Sequence, residues 1–495
     1  MARVGSLKTP WRSLTVAFAA ILVMLVPDRS HGEARPPFGG KVVGSLSSAP
    51  SSVDPLFARS HAELTLVTLV FDSLYREGVP GSPEPHLAAA LPTFSADGLE
   101  ARVLLKVGVY FHDGRPVRAI DALWSLRRAA KAREMEWALA PVKGITRDGE
   151  TIVFSLHRPA PELASLLALP QLAITPAGRP PKASAPVGSG PFRVRRLAFE
   201  GRRLELVASE DHFGGRPFVD EILLRWFDRE GDEARAYEAG EADFSFRGAV
   251  AFAGHSPKHP TSSVEGEAVL LAYLGFGKRH GGLLADRDFR RAVSLALNRG
   301  SFRHVGAGER VIPTSVLGPP GSKEQAGVTL VAQPEAARAT LRQVQSRLRL
   351  KAMPPLEIMV DRTRLDDADV AARVLSSLDR IGLNVVIRSV EPPELARRVA
   401  AGDCDLYVSQ LVSPSRDPLH ERAMALSMTG DPWAASRLRK GDLALATYTH
   451  AFLERLPIVP IYYRTVRVHF RKALRGFTLD GNGTPELAGV YWWED

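Results

Sequence analysis

Only one cysteine, Cys404, occurs among the 495 residues of the chain. A single cysteine excludes an internal disulfide, so the burial of apolar side chains has to stabilise the fold. Cys404 precedes the apolar run DLYVSQLV. A lone thiol beside such a run is more often buried and inert than exposed and reactive, so we expect a structural role for it.

The sequence offers no apolar run that suits a membrane-spanning helix. The run Leu14–Val26 has thirteen residues, whereas a span needs about 20. Basic residues precede this run and a polar segment ending at Ala34 follows it, which is typical of an export signal. No cysteine near Ala34 offers a site for lipid attachment. We therefore expect cleavage near Ala34 and a freely soluble periplasmic protein.

Runs of five like charges and basic stripes studded with aromatic residues are absent too, which disfavours nucleic acid as a partner. The net charge is +9, and removal of residues 1–34 leaves 60 basic and 53 acidic residues, a net charge of +7. This basic character favours anionic ligands.

Motifs of the common enzymes and cofactor sites are likewise missing. The sequence has no His-Glu-x-x-His helix, no Gly-x-Ser-x-Gly turn and no Gly-x-x-x-x-Gly-Lys-Ser/Thr loop. The stretch GFGKRHGG has His280 where a dinucleotide loop needs its third glycine, so we interpret it as a turn. The pair His112-Asp113 has no evident third partner for acid-base chemistry. We predict that the protein is not an enzyme and has no cofactor or metal site.

The residues that are present indicate a mixed α and β protein of two or three domains. Ser60 and Glu63 have the spacing of a capping box, which predicts that a helix begins there. Leu356–Val360 reads as a strand, Asp366 or Asp367 can cap a following helix, and LNVVIRSV then resumes strand character. The expected buried residues of this helix are Val370, Val374, Leu375, Leu378 and Ile381, with Gly382 in the left-handed position that ends it.

This β-α-β unit implies a layered α/β domain, to which DLYVSQLV adds a strand. Ligands gather beyond the carboxyl ends of such strands, which draws attention to the stretch Ser409–Asp417. The glycine-rich stretch PVGSGPF at 186–192 is open to three interpretations: a loop that cradles a phosphate or other anion, a nucleophile turn, or a junction between domains. No helix pattern follows it to reinforce an anion site, so we favour the junction.

Several motifs in a fixed order carry a family resemblance. They are SVDPLFARSHAELTLVTLVFDSLYREG, GVYFHDGRPVRAIDALWSLRR, PVGSGPF, EDHFGGRPFVDEI, YEAGEADF, YLGFG, DFRRAVSLALNR and LPIVPIYY. Spread from Val53 to Tyr463, this set is similar to the peptide/nickel-type (family 5) periplasmic solute-binding proteins that serve ABC importers.

The resemblance implies an α/β, two-lobed periplasmic-binding-protein fold of class II, cluster C type, with discontinuous domains and mixed sheets. After a signal peptide at 1–34, domain I would comprise 35–76, 173–268 and 466–495, domain II 77–172, and domain III 269–465. Domains I and II would form one lobe and domain III the other. The resemblance further implies a monomer that captures a small solute or peptide between its lobes and delivers it to a membrane permease.

Some positions depart from the family pattern. Peptide-binding members carry an aspartate for the peptide's amino group where this chain has Pro414, and Gln410-Leu411 replaces the usual Gly-Trp. The asparagine after the YLG strand is Gly277. An amine would lack its usual counter-charge, so the resemblance supports a binding protein more strongly than a dipeptide ligand.

The candidate ligand-binding residues follow from the same comparison. Arg59 precedes the capped helix, where its charge would suit an anion or carboxylate, although a solvated arginine is the alternative. The remaining candidates are His61 beside it, Ser409, Gln410 and Ser413 for hydrogen bonds, and Leu411 and Tyr273 as an apolar wall. Two other functions stay open: a degenerate binding protein acting as a sensor or scaffold, and an exported enzyme with an unrecognised site.

Overall fold

The computed structural model describes residues 36–78, 82–182, 186–246, 257–280, 282–305, 311–318, 331–415 and 417–493. The predicted export signal at 1–34 lies outside these ranges. Within them, no helix combines the length and the apolar character needed to cross a bilayer.

The strands of the described residues are, in chain order, β1 Lys41–Ser45, β2 Tyr75–Glu77, β3 Pro83–Pro85, β4 Thr93–Phe94, β5 Glu100–Leu104, β6 Val142–Asp148, β7 Thr151–Leu156, β8 Phe192–Ala198, β9 Arg203–Ala208, β10 Glu221–Arg225, β11 Phe244–Ser245, β12 Thr261–Glu265, β13 Leu270–Phe276, β14 Val311–Pro313, β15 Leu356–Asp361, β16 Val385–Val390, β17 Leu406–Val412, β18 Ile458–Arg464, β19 Arg467–Arg471, β20 Leu474–Arg475 and β21 Tyr491–Trp492. The α-helices are α1 His61–Val70, α2 Ala119–Ala130, α3 Leu163–Leu166, α4 Glu230–Glu238, α5 Arg287–Ala296, α6 Pro334–Arg347, α7 Leu365–Asp379, α8 Pro392–Ala401, α9 Pro418–Ser427, α10 Trp433–Arg439 and α11 Leu445–Arg455.

Three larger sheets organise the described residues, beside two two-stranded sheets, β2-β3 and β20-β21. A seven-stranded sheet has the order β12-β19-β11-β1-β10-β9-β8, and a four-stranded sheet has the order β4-β5-β7-β6. A six-stranded sheet has the order β14-β18-β13-β17-β15-β16 and mixes parallel with antiparallel pairs. We call residues 270–464, which carry the six-stranded sheet, the second lobe, and the remaining described residues the first lobe.

The seven-stranded sheet draws its strands from three separated parts of the sequence. Strand β1 comes from the amino-terminal part, β8 to β12 from the middle, and β19 from the carboxyl-terminal part. Strand β1 pairs in parallel with β10, while β9 and β19 pair antiparallel with their neighbours. All these strands fall inside the ranges given above for domain I, although the domain boundaries themselves stay a prediction.

The centre of the second lobe explains why its strands read as continuous apolar runs. Strand β18 is buried along its whole length, and β13 is buried except at its last residue. Both lie inside the six-stranded sheet, where each face is covered and alternation with polar residues is not needed. Within β13, Leu271 and Tyr273 belong to one apolar core, and Ala272 and Leu274 belong to another.

Helix α1 confirms the predicted capping box. Ser60 Oγ accepts the backbone N–H of Glu63, and the Glu63 carboxylate accepts the N–H of Ser60. Nine of the ten residues of α1 are buried, so the helix is a core element.

The β-α-β unit is confirmed, with one correction. Strands β15 and β16 pair in parallel around α7, and Gly382 has φ +86° as predicted. The prediction that Asp366 or Asp367 caps the helix is wrong, because α7 begins at Leu365 and both aspartates lie in its first turn. Their negative charges stabilise the amino-terminal end of α7, which is the positive end of the helix dipole.

The chain crosses between the lobes at two adjacent places. It leaves the first lobe through residues 266–269, after β12, and returns through 465–466, before β19. The Gly266 N–H donates to the Val466 carbonyl at 2.8 Å, and Thr465 Oγ1 donates to Glu265 Oε1 at 2.9 Å. The two crossovers therefore run side by side as one short connection.

The PVGSGPF stretch packs on the carboxyl end of α1. The Gly190 N–H donates to the Val70 carbonyl at 3.0 Å, and the His112 N–H donates to the Gly188 carbonyl at 2.8 Å. A Cβ on Gly188 would lie 1.9 Å from the Val70 oxygen, so only glycine permits this approach. The stretch thus joins α1 to the His112-Asp113 turn.

Cys404 is buried, as predicted. Burial raises the pKa of its thiol to about 11, so the thiolate is scarce at neutral pH.

We expect Gly188→Ala to lower the free energy of unfolding by about 3 kcal/mol, because the backbone oxygen of Val70 has to move away from the new methyl group. Gly144→Ala is the matched control, since a Cβ there has no neighbour within 4 Å, and we expect a change within about 0.5 kcal/mol. Urea unfolding of both variants measures this. Equal effects in the two variants would contradict the close approach.

Candidate functional site

A cavity of about 620 Å³ lies between the two lobes. The second lobe contributes Pro414, Ser415, Asp417 and His420, which follow the carboxyl end of β17 or begin α9. The first lobe contributes the carboxyl end of α1, the strands β2 and β3, and the segment 480–488. Part of the stretch Ser409–Asp417 therefore lies at a cavity, as the strand pattern predicts.

One wall of the cavity holds a buried carboxylate between histidines. Asp72 Oδ2 accepts a hydrogen bond from Ser189 Oγ at 2.8 Å, and Oδ1 lies 2.8 Å from His86 Nε2 and 3.9 Å from His212 Nε2. Burial alone would raise the pKa of Asp72, but the interactions with His212 and His86 outweigh it and hold that pKa well below its usual range. The group is therefore a carboxylate at neutral pH.

A second wall is a tight turn at Asp480–Thr484, whose first three residues line the cavity. Asp480 Oδ1 accepts the N–H groups of Asn482 at 2.9 Å and Thr484 at 2.7 Å, which holds the turn closed. A Cβ on Gly483 would lie 2.7 Å from Val466 and 3.6 Å from Val269. The turn that forms this wall is therefore in contact with both crossovers, through Val269 of one and Val466 of the other.

His61 connects this turn to α1. Its Nε2 lies 2.8 Å from the Gly483 carbonyl, to which it donates, and its ring packs edge-on against Phe246. Burial lowers the pKa of His61 to about 4, so the ring is neutral at pH 7. The contacts of His61 are therefore structural, and its role as a ligand contact stays a prediction.

Three other predicted residues come together at the lobe interface. Tyr273 and Ser409 face each other across β13 and β17, and the Tyr273 and Tyr407 rings lie 6.1 Å apart. Burial raises the pKa of Tyr273, opposed by its hydrogen bond with Ser409 and by the nearby charges of Arg59 and Arg364. Arg59 also pairs with Glu134 at 3.2 Å.

The remaining predicted residues have partners elsewhere. Leu411 is buried in the apolar cluster that joins the lobes. Gln410 Oε1 accepts a hydrogen bond from Arg464 at 3.3 Å, and Ser413 Oγ donates to Glu421 at 3.2 Å. None of the seven predicted residues lines the cavity. As ligand contacts they stay predictions.

Sequence reasoning missed most of the cavity wall. Asp72 and His212 lie within the quoted motifs SVDPLFARSHAELTLVTLVFDSLYREG and EDHFGGRPFVDEI, which indicated the family but not a ligand site, and His86 lies in none of the quoted motifs. The Asp-Gly-Asn-Gly sequence at 480–483 was a recognisable turn signal, but nothing local indicated that it meets a cavity. Among the described residues, no cluster of three or more side chains suits a metal ion.

The two lobes touch at several points beyond the cavity. The Ala49 N–H donates to Thr363 Oγ1 at 3.2 Å, Arg158 Nε donates to the Leu438 carbonyl at 2.9 Å, and Arg133 donates to the Gly430 carbonyl at 2.8 Å. One apolar cluster also extends from the four-stranded sheet into the second lobe. The two lobes are therefore in contact around the cavity as well as at the crossovers.

Comparison with known families accounts for this architecture. The model of the bacterial extracellular solute-binding proteins, family 5, matches residues 82–432. The chain belongs to this family.

Curated relatives agree with the match. A putative ABC transporter peptide-binding protein of Brucella ovis is 27% identical over 300 residues, which are 57% of this chain and 56% of the relative. The di/tripeptide-binding protein 4 of Pseudomonas aeruginosa is 25% identical over 380 residues, covering 68% of this chain and 70% of that protein. The match to the Brucella protein spans little more than half of its length.

Solved structures share the fold. Listeria monocytogenes OppA bound to peptide has a TM-score of 0.77 at 17% identity, with 93% of this chain and 100% of that chain covered. The AgaA protein of Agrobacterium tumefaciens R10 in complex with agropinic acid has a TM-score of 0.73 at 20% identity, with 92% and 99% covered. The two-lobed fold of periplasmic binding proteins, with mixed α/β sheets, is therefore confirmed.

The first turn of α7 adds a buried charge cluster to the lobe interface. Arg364 lies 3.1 Å from Asp367 and 3.5 Å from Asp361, and Arg464 of β18 pairs with Asp366. Burial raises the pKa of Asp367 to about 7, because the nearby Arg364 charge only partly opposes it and Asp361 and Asp366 add like charge.

This shift has a defined effect on stability. Because folding raises the pKa of Asp367 from 3.8 to about 7, its contribution is fully present below pH 3.8 and is lost as the pH rises toward 7. We expect Asp367→Asn to remove this slope. The variant should gain stability relative to wild type by up to roughly 1.4 kcal/mol per pH unit across that window, and by a constant amount above it.

Urea unfolding at a series of pH values measures the difference, with Asp369→Asn, an exposed aspartate of the same helix, as the control. If the difference in the free energy of unfolding between Asp367→Asn and wild type does not change between pH 3.8 and 7, Asp367 of the folded protein is ionised throughout that range.

Proposed function

We propose that the protein is the substrate-binding component of an ABC-type importer. It captures a small polar solute between its lobes and delivers it to a membrane permease, without chemical change. The observation that carries the proposal is the cavity between the lobes, whose 480–484 wall rests on both crossovers. The names of relatives such as the Brucella ovis protein support the transport role.

Opening breaks the polar contacts between the lobes and separates the apolar cluster that extends across their interface. The crossovers are two short backbone segments, so rotation about them separates the lobes while each sheet stays intact. The contacts made by Ala49, Arg133 and Arg158 across the interface then break together. A solute in the cavity favours the closed form, which presents a surface that the permease distinguishes from the open one.

The chemical class of the solute is wider than peptides. The solved relatives include proteins in complex with a peptide, with agropinic acid and, in Staphylococcus aureus NikA, with Ni(L-His)2. Pro414 lines the cavity of this chain and has no charge to offer an amino group. The same fold therefore suits peptides, amino-acid conjugates or other polar solutes here.

X-ray scattering of the protein lacking residues 1–34 tests the proposal. We expect the radius of gyration to fall when a solute from a panel of peptides, amino-acid conjugates, sugars and metal chelates binds. Thermal unfolding identifies the binder, because a solute at 100 times its dissociation constant stabilises the fold by about 2.7 kcal/mol. A panel with no effect in either measurement would favour a sensor or scaffold, and turnover of a bound solute would favour an enzyme.

A further inference from the structure

A smaller pocket, which we call the side pocket, lies between the lobes next to the larger cavity. It has a volume of about 180 Å³ and shares Glu162, Asp417 and His420 with the wall of the larger cavity. Both lobes contribute to its wall, so the side pocket is complete only while the lobes are in contact. Most of its wall is apolar, and the apolar aliphatic residues are Pro141, Leu166, Leu419, Leu438, Leu443 and Leu445.

The wall of the side pocket holds a buried hydrogen-bond donor. Trp137 of the first lobe lines the pocket and is only 2% exposed. Its indole Nε1–H can only donate, and the described part of the chain offers it no acceptor. A buried donor without an acceptor is costly, and a ligand that brings an acceptor into the pocket removes that cost.

The neighbouring histidine does not accept this hydrogen bond. The rings of Trp137 and His420 lie 5.8 Å apart, centre to centre, and His420 Nδ1 lies 2.8 Å from Ser415 Oγ, which is its partner. Burial lowers the pKa of His420, although the charges of Asp417 and Glu162 oppose this, so the ring is neutral at pH 7. His420 therefore adds no positive charge to the pocket.

The charged groups of the side pocket are already engaged with protein atoms. Arg158 Nε donates to the Leu438 carbonyl at 2.9 Å, and the Arg158 guanidinium also pairs with Glu162. Asp417 Oδ1 accepts the backbone N–H of Leu419 at 2.8 Å. No other charged residue is part of this wall as the structure describes it, so the pocket has no counter-charge to spare for an ionic group. It suits an apolar group with a neutral acceptor.

We propose that the side pocket binds an apolar group of the transported solute, and that a neutral oxygen on this group accepts the Trp137 Nε1–H. A cavity of about 150 Å³ holds a benzene ring, so the volume of the side pocket suits a group of that size. This inference rests on the proposed function and specifies the solute. A polar part lies in the larger cavity, and an adjoining apolar part with a carbonyl-type oxygen lies in the side pocket.

Three probes with a benzene ring and equal numbers of non-hydrogen atoms test the preference: acetophenone, isopropylbenzene and benzoate. Acetophenone has a neutral carbonyl oxygen, isopropylbenzene has no acceptor, and benzoate has a charged one. We expect acetophenone to bind about fivefold more tightly than isopropylbenzene, which corresponds to about 1 kcal/mol for one neutral hydrogen bond. Benzoate should bind more weakly than acetophenone, because its charge would be buried without a partner.

Nuclear magnetic resonance of the protein with isotope-labelled tryptophan measures these affinities. The Trp137 Nε1–H signal should move downfield, as that of a hydrogen-bonded N–H does, with acetophenone and not with isopropylbenzene. Absence of acetophenone binding, equal affinities for acetophenone and isopropylbenzene, or tighter binding of benzoate would each overturn the inference. These comparisons use only the wild-type protein, so they stand even where a variant does not fold.

Trp137→Phe removes the N–H group and keeps an aromatic ring. It should lower the affinity for acetophenone about fivefold and leave the affinity for isopropylbenzene nearly unchanged. Trp226→Phe is the matched control, because Trp226 is also a buried tryptophan of the first lobe and lines neither the larger cavity nor the side pocket. The control should change neither affinity. An equal loss of affinity for both probes in Trp137→Phe would contradict a hydrogen bond to the solute.

Scattering separates this inference from the proposed function. We expect a solute of the broad panel that lowers the radius of gyration to move the Trp137 Nε1–H signal as well. If it lowers the radius of gyration and leaves that signal in place, the protein is a binding protein and only the assignment of the side pocket is wrong. If acetophenone moves the signal but no solute changes the radius of gyration, the proposed function fails, and the assignment of the pocket to a transported solute fails with it.

Discussion

The contact between the two crossovers is the constraint on which the rest of the molecule depends. Residues 266–269 and 465–466 connect the lobes, and the Gly266–Val466 hydrogen bond joins them into one connection. A single crossover would leave the lobes free to twist, whereas two adjacent ones restrict their relative motion to rotation about a shared line. The 480–484 turn, held by His61 through Gly483, packs against this connection from the first lobe.

This arrangement links the cavity to the motion of the lobes. The same turn forms cavity wall on one side and touches Val466 and Val269 on the other. A solute held at the wall therefore acts close to the rotation axis, where small displacements of the backbone become large displacements at the far ends of the lobes. Asp367 lies in α7 of the second lobe, which this rotation would move. Asp480 lies in the turn that contacts the crossovers.

Local patterns predicted the elements of the fold well. The capping box at Ser60, the parallel strands around α7 and the left-handed Gly382 each depend on residues a few positions apart, whose interactions form within one element. The misplaced cap at Asp366 or Asp367 shows the limit, because acidic residues favour both the cap and the first turn. The resemblance to a known family supplied the two-lobed arrangement, which composition alone did not indicate.

The sequence by itself determined the mixed α/β class of fold, the buried thiol and the capped helix, since each follows from residue type and spacing. The loss of a charge at Pro414 followed from the resemblance to the family. Tertiary structure decided the cavity. Asp72, His86, His212, Asp417 and Asp480 are separated by tens to hundreds of residues, and only the packing of both lobes brings them around one cavity. The lining of the cavity also holds more acidic residues than lysines and arginines although the chain is basic, because the net charge of a chain counts every residue, whereas a solute meets only those that the fold places around it.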